Sequence, residues 1–252
     1  MVFKKTLFIC ALMLLVAGCG ENTKKPEANN NSEPTSSVGA KKDKMELDAF
    51  LIASIPEEKI YLYALNLNKK DNMYKDLILS VNGVKRAFDW ETLSLIQRLP
   101  ELHYLDLNGD NKKELAIKLF ENYGTGISLN TMHIINPENL TEYKVENPLK
   151  IIEDNVEIKI LSPKEAEIEI NSNISNINVS NIPDELLGVY PDTISEIYYK
   201  DYIDYEIENN TLKVYVGAEA DPLKYIGNIV IDYSFKNEEF KANKIYFDDF
   251  LS

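Results

Sequence analysis

The chain has 252 residues, of which 41 are acidic and 27 are lysine or arginine, for a formal charge of −14. That excess argues against nucleic acid and against electrostatic attraction to anionic lipid, and suits a protein that presents carboxylates to cations. Two cysteines and two histidines are too few for a disulfide scaffold or a zinc cluster.

The chain opens MVFKKTLFICALMLLVAGCG, with lysines at 4 and 5, an apolar run from Leu7 to Ala17, then Gly18-Cys19. The run is too short to cross a bilayer as a mature helix, and the pattern predicts a secretory signal peptide over residues 1–18. The segment Leu15-Val16-Ala17-Gly18-Cys19 resembles the lipobox of bacterial lipoproteins. The resemblance implies cleavage before Cys19 and acylation of that residue, hence lipid anchoring at the extracytoplasmic face of the cell membrane. Two acyl chains suffice for a stable anchor, since burial is worth about 0.8 kcal/mol per methylene. An ordinary cleaved signal is the other reading. Cys10 leaves with the peptide, so no intrachain disulfide remains.

Residues 19–45 are expected to be the lipidated cysteine and a tether. The stretch GENTKKPEANNNSEPTSSVGAKKDK, from Gly20 to Lys44, has Val38 as its only large aliphatic side chain and cannot repay the entropy of ordering it. Its mean reach is about 25–30 Å, from roughly 5–6 Å × √n.

The remainder predicts a mainly β fold of antiparallel sheets with one or two short helices. In KIYLYALNL, Ile60, Leu62 and Ala64 alternate with Tyr61, Tyr63 and Leu65, which predicts a strand covered on both faces. DLILSVNGVKRAFDW predicts a hairpin about Asn82-Gly83, the pair that favours a type I′ turn. WETLSLIQRL, Trp90 to Leu99, spaces Leu93, Ile96 and Leu99 as a helix that ends at Pro100. NYGTGISLN, Asn122 to Asn130, reads as a hairpin or bulge, because it lacks the lysine and following helix of a phosphate cradle. NVEIKIL, EAEIEI, ISEIYYKDYIDYEIE, TLKVYV, YIGNIVIDYSF and KANKIYFDDF read as antiparallel strands between Asn, Gly, Pro and Asp punctuation. The Asn- and Ser-rich stretch from Asn171 to Pro191 suggests a boundary between a domain over 46–175 and a C-terminal β module over 190–252. A long loop within one domain competes with it.

The chemistry concentrates in DLNGDNKKEL, Asp106 to Leu115. Asp106, Asn108 and Asp110 put oxygens on alternate residues, Lys112 offers a backbone carbonyl, and Glu114 stands where a closing carboxylate is needed. Calcium takes six to eight such hard ligands. An EF-hand is excluded, because its later glycine and closing glutamate fall on Asn111 and Ile117, and strand-like sequence flanks the loop. The segment DLNGDNKKELAIKLF resembles the β-hairpin calcium loops of FG-GAP and VCBS-type repeats. The resemblance implies Ca²⁺ as cofactor, with Asp106, Asn108, Asp110, the Lys112 carbonyl and Glu114 as ligands. Three positions depart from that pattern: Asn111 replaces a glycine, Asn108 is an amide, and Glu114 replaces the commoner aspartate. The alternative is a solvated turn built on Asn108-Gly109. A degenerate echo, NKKDNMYKDLILSVNG, aligns Asp76 with Glu114 and puts Asn68, Lys70 and Asn72 at the ligand places. It reads as a structural repeat without a metal.

His103 and His133 lie in strand-like runs and read as packed or half-exposed rings. Tyr198 and Tyr202, alternating with Tyr199 and Tyr205, are expected to line both faces of one strand. No nucleophile context such as G-x-S-x-G is present. The sequence therefore reads as a non-enzymatic, lipid-anchored envelope protein that binds calcium, with the membrane, a cell-wall glycan or an envelope protein as partner. The competing class is a cell-envelope polysaccharide or peptidoglycan hydrolase that uses a carboxylate pair.

Overall fold

A computed structural model describes residues 49–181, 192–221 and 224–250. The expected signal peptide, Cys19, the tether and part of the expected boundary lie outside the described residues. Among the described residues the chain is mainly β, with antiparallel sheets and a single short α-helix. Among the described residues no helix is long and apolar enough to cross a membrane.

Strands β1 (Phe50–Ile55), β2 (Ile60–Asn68), β3 (Met73–Val81) and β4 (Val84–Leu93) form an antiparallel sheet in chain order. Asn82 and Gly83 have φ of 51° and 84°, the paired positive angles of the expected type I′ turn. On β2, Ile60, Leu62 and Ala64 are fully buried. Tyr61, Tyr63 and Leu65 are only half-buried, so the strand is covered on one face and not on both. The second apolar set is largely tyrosine, a side chain suited to a water boundary.

The expected helix at Trp90–Leu99 does not form. Trp90 and Thr92 extend β4, and Ile96 is 80% exposed. Thr92, fully buried, exchanges hydrogen bonds with the Phe120 backbone at 3.1 and 3.2 Å, while Trp90 stacks on Phe88 at 3.8 Å. Three apolar residues at helical spacing would make a helix too short to be stable alone. The strand's tertiary contacts prevail.

Next come β5 (Glu101–Leu105), β6 (Glu114–Gly124), β7 (Ile127–Ile135), β8 (Glu142–Val145) and α1 (Pro148–Asn155). Asn147 caps α1, its side-chain oxygen accepting from the Leu149 and Lys150 amides. Strands β9 (Val156–Ser162), β10 (Glu165–Ile170) and β11 (Asn173–Asn178) form a small antiparallel sheet. The last four strands are β12 (Tyr202–Glu208), β13 (Thr211–Asp221), β14 (Lys224–Lys236) and β15 (Glu239–Asp249).

Strands β12 to β15 join β8, β7, β6 and β5 in one eight-stranded sheet, and β12 also pairs with β7. Six strands thus close into a ring, with β6 and β5 continuing from the other edge of β7. The two closures, β12 with β7 and β15 with β8, are parallel pairings. The segments expected as separate domains therefore share a sheet, within a compact unit over Lys44–Ser252. Strand β11 occupies part of the Asn-rich stretch, with Ile177 buried.

Strand β6 belongs to both cores. Leu115, Ile117 and Leu119 pack with Leu62, Leu77 and Leu79 of the first sheet. Ala116, on the opposite face, packs with Ile134, Val214 and Ile229 of the ring. Lys118 also faces the ring and is only 7% exposed. Its ammonium meets Asp204 of β12 at 2.5 Å. The Asp204 carboxylate also accepts from Asn130 at 2.7 Å and Tyr202 at 3.2 Å, and the Asn130 oxygen accepts the Tyr205 amide at 2.9 Å. This network lies beside the β12–β7 closure, where loss of either partner leaves the other charge largely withdrawn from water.

Lys118→Ala is therefore expected to cost about 3 kcal/mol, the low end for breaking a buried pair because Asp204 keeps two hydrogen bonds. Urea denaturation checks this, and Lys118→Met combined with Asp204→Leu should recover most of the loss.

Candidate functional site

The predicted ligand residues are brought together in the turn between β5 and β6. Strand pairing of Leu105 with Glu114 closes the hairpin, so Asp106 to Lys113 must curl over a short gap. Gly109 at φ 81° and Asn111 at φ 66° take the left-handed conformations that this requires. Asparagine tolerates that region better than other side chains, so the departure at Asn111 preserves the backbone shape.

The loop's side chains bind its own amides. Asp106 accepts Gly109 N at 2.7 Å and Asn111 N at 3.0 Å, one on each oxygen. Asn108 Oδ1 accepts Asp110 N at 2.8 Å, and Asp110 Oδ1 accepts Lys112 N at 2.7 Å. Glu114 Oε2 accepts Leu107 N at 2.9 Å and Asn108 N at 3.2 Å, while Oε1 accepts Asn108 Nδ2 at 2.9 Å. Its carboxylate is buried beneath the turn.

Burial pushes the Glu114 carboxyl above its ordinary value, against the Leu107 and Asn108 amides that pull it down; the nearby Asp110 and Asp106 charges raise it further. Asp106, Asp110 and Glu114 thus lie along one short turn and feel one another's charge. The Lys112 ammonium is engaged by Glu138 at 3.0 Å. A cavity of about 210 Å³ beside the turn is lined by Asp110, Glu114, Asn136 and Glu138 among others.

The donor set is wholly oxygen, which fits a hard cation and not zinc. Each carboxylate oxygen can accept twice, so the amide contacts leave capacity on Asp106, Asp110 and Glu114. Among the described residues, however, no group of three or more His, Cys, Asp or Glu is gathered closely enough to hold a metal as it stands. The side chains are turned to the loop's own amides, so cation binding requires them to share those oxygens.

The echo is different. Asn68 Oδ1 accepts Lys70 N at 3.0 Å and its amide donates to Asp71 at 2.6 Å. Asp76 sits at a bulge within β3, held by Asn66 at 2.5 Å, whereas Glu114 begins its strand. Bulge and loop are not superimposable sites.

His103 is half-exposed on β5, 3.8 Å from Glu101, whereas His133 on β7 meets Glu142 at 2.6 Å and stacks on Trp90 at 4.1 Å. Sequence reasoning missed this pairing, which a hairpin between β7 and β8 creates. Asp89, Glu91 and Glu121 line a groove of about 430 Å³ with Trp90 and His133. Gly124 to Ile127 forms the expected hairpin, with a bulge near Phe120. Of the four tyrosines expected on one strand, only Tyr202 and Tyr205 lie on β12; Tyr198 makes an isolated bridge to Glu219 before it. The Asp201 carbonyl accepts the Ser128 amide, which anchors the start of β12 after those residues.

No family model, curated protein or solved structure matches this chain. The geometry of the loop and the residues themselves carry the functional reading.

Because folding raises the Glu114 carboxyl, the folded state favours its protonated form. The ionised group therefore costs stability at neutral pH, and the cost is relieved as pH falls through the window between the raised and the ordinary value. In chelator, Glu114→Gln is expected to be more stable than the parent at neutral pH, with the difference shrinking as pH falls through that window. Chemical denaturation across pH 3–8, roughly the range in which carboxylates titrate, checks the sign.

Proposed function

We propose that this chain is a lipid-anchored, extracytoplasmic protein of the bacterial envelope, whose turn from Asp106 to Glu114 binds Ca²⁺ and whose role is binding, adhesion or structural support and not catalysis. The observation that supports the cation reading is the placing of Asp106, Asp110 and Glu114 on one short turn, where burial first and the Asp110 and Asp106 charges second raise the Glu114 carboxyl. A divalent ion would convert that repulsion into attraction. Asp106, Asn108, Asp110 and Glu114 would hold it through side-chain oxygens and Lys112 through its carbonyl. The ion would supply charge neutralisation and cross-link the two ends of the turn.

The anchoring reading rests on the lipobox-like segment ending at Cys19. A tethered, cysteine-free domain gains rigidity from an ion where it cannot gain it from a disulfide. The membrane is then the lasting partner, and a cell-wall glycan or envelope protein the transient one.

Thermal unfolding of residues 20–252 in calcium and in excess chelator tests the cation. At 100 times its dissociation constant the ion adds about 2.7 kcal/mol, a shift of several degrees in Tm for the parent and none for Asp110→Ala. An unchanged parent leaves the loop a turn. For the anchor, metabolic labelling with a fatty acid in a bacterial host should mark the parent and not Cys19→Ser; labelling of both overturns the assignment.

A further inference from the structure

A second concave surface lies along β15. That strand pairs with β8 only at Glu239 and Phe240, so from Lys241 onward its second edge has no ladder partner among the described residues. Strand β11 is likewise paired on one side alone. Between them run two adjoining cavities of about 440 and 380 Å³, which share Asn171, Asn243 and Ile245. Together they make one groove, bounded by the β10–β11 turn, the end of α1 and the outer edge of β15.

The lining is rich in neutral hydrogen-bonding groups. Among the described residues the Asn171 and Asn173 amides and the Ser175 hydroxyl have no side-chain hydrogen-bond partner. Asn243 is the extra residue of a β-bulge, where the register with β14 shifts between Asp232 and Tyr233. A bulge re-aims its side chain, and this one lines both cavities. Its oxygen accepts from Lys236 at 3.2 Å, which leaves its amide protons for a ligand. Tyr246 and Phe247 add aromatic surface, and Lys244 stands 4.4 Å over the Tyr246 ring with no carboxylate partner among the described residues.

An extended peptide would need a regular run of backbone donors and acceptors. The bulge interrupts that run, and the Ala242 amide is already spent on Glu146 at 3.0 Å. Side-chain amides beside aromatic rings suit a ligand with hydroxyls on its rim and C–H groups on its faces. We propose that this groove binds a glycan strand, with Asn171, Asn173 and Asn243 hydrogen-bonding its hydroxyl or acetamido groups and Tyr246 flanking a sugar ring. The assignment goes beyond the cation reading and is independent of it.

The test is a titration of the ¹⁵N-labelled protein with chitotriose and, separately, maltotriose, followed at the asparagine side-chain amides by NMR. Saturable shifts of the Asn171, Asn173 and Asn243 amides with either sugar are expected. Asn173→Ala and Tyr246→Ala should each weaken binding about tenfold while their Tm values stay at the parent's. Asp110→Ala should bind the sugar as the parent does. The proposal is overturned if neither sugar shifts these amides at millimolar concentration, if Asp110→Ala abolishes the shifts, or if an alternating Val-Thr peptide shifts them and the sugars do not.

Discussion

The double burial of β6 constrains most of this fold. From Glu114 to Phe120 a strand with Leu115, Ile117 and Leu119 in one core and Ala116 in another exposes neither face, so a polar residue in that stretch must find its partner inside. Lys118 finds Asp204, and Asp204 lies on β12, which the chain reaches only after β7 to β11. One buried charge thus links the first half of the sequence to the second. The same burial acts at the start of the strand, where Glu114 is held under the turn and organises the loop above it.

Much of the strand pattern was legible because alternation and turn chemistry are local. Asn82-Gly83 specified its hairpin through backbone conformations that few other pairs adopt, whereas Asn122 to Asn130 read only as a hairpin or bulge and proved to be a hairpin with a bulge near Phe120. The Trp90–Leu99 segment misled because Leu93, Ile96 and Leu99 match a helix while Thr92 belongs to a contact made with Phe120, far away in sequence. Helix α1 carried a signal that went unread: Asn147 followed by Pro148 is a cap and a first-turn proline. Strand β11 was hidden by its asparagines, since a sheet edge needs only Ile177 to face the core. The ring closures had no local signal at all, because parallel pairing between distant strands leaves no turn to recognise.

The candidate site was legible as a set of residues and not as a geometry. Spacing gathered Asp106, Asn108, Asp110 and Glu114 into one turn, and Asn111 took the left-handed angle of the glycine it replaces. What spacing could not show is that every one of these side chains is already bonded to the loop's backbone. The frame is therefore built before any ion arrives. An ion meeting it would share oxygens with existing amide bonds, gaining preorganisation and losing some of each oxygen's strength as a ligand.

Closure of the ring also sets an order of events. Lys144 and Glu239, neighbours across the β8–β15 pairing, are 95 residues apart in the chain, and Asn130 and Asp204 are 74 apart. Loops of that span are entropically expensive to close before their contacts form. The four-stranded sheet and the hairpins can assemble as they emerge, but β7 and β8 keep an open edge until the last strands exist. A nascent chain stopped before β15 would thus present that edge to its neighbours, so the protein's solubility during synthesis depends on the emergence of β15.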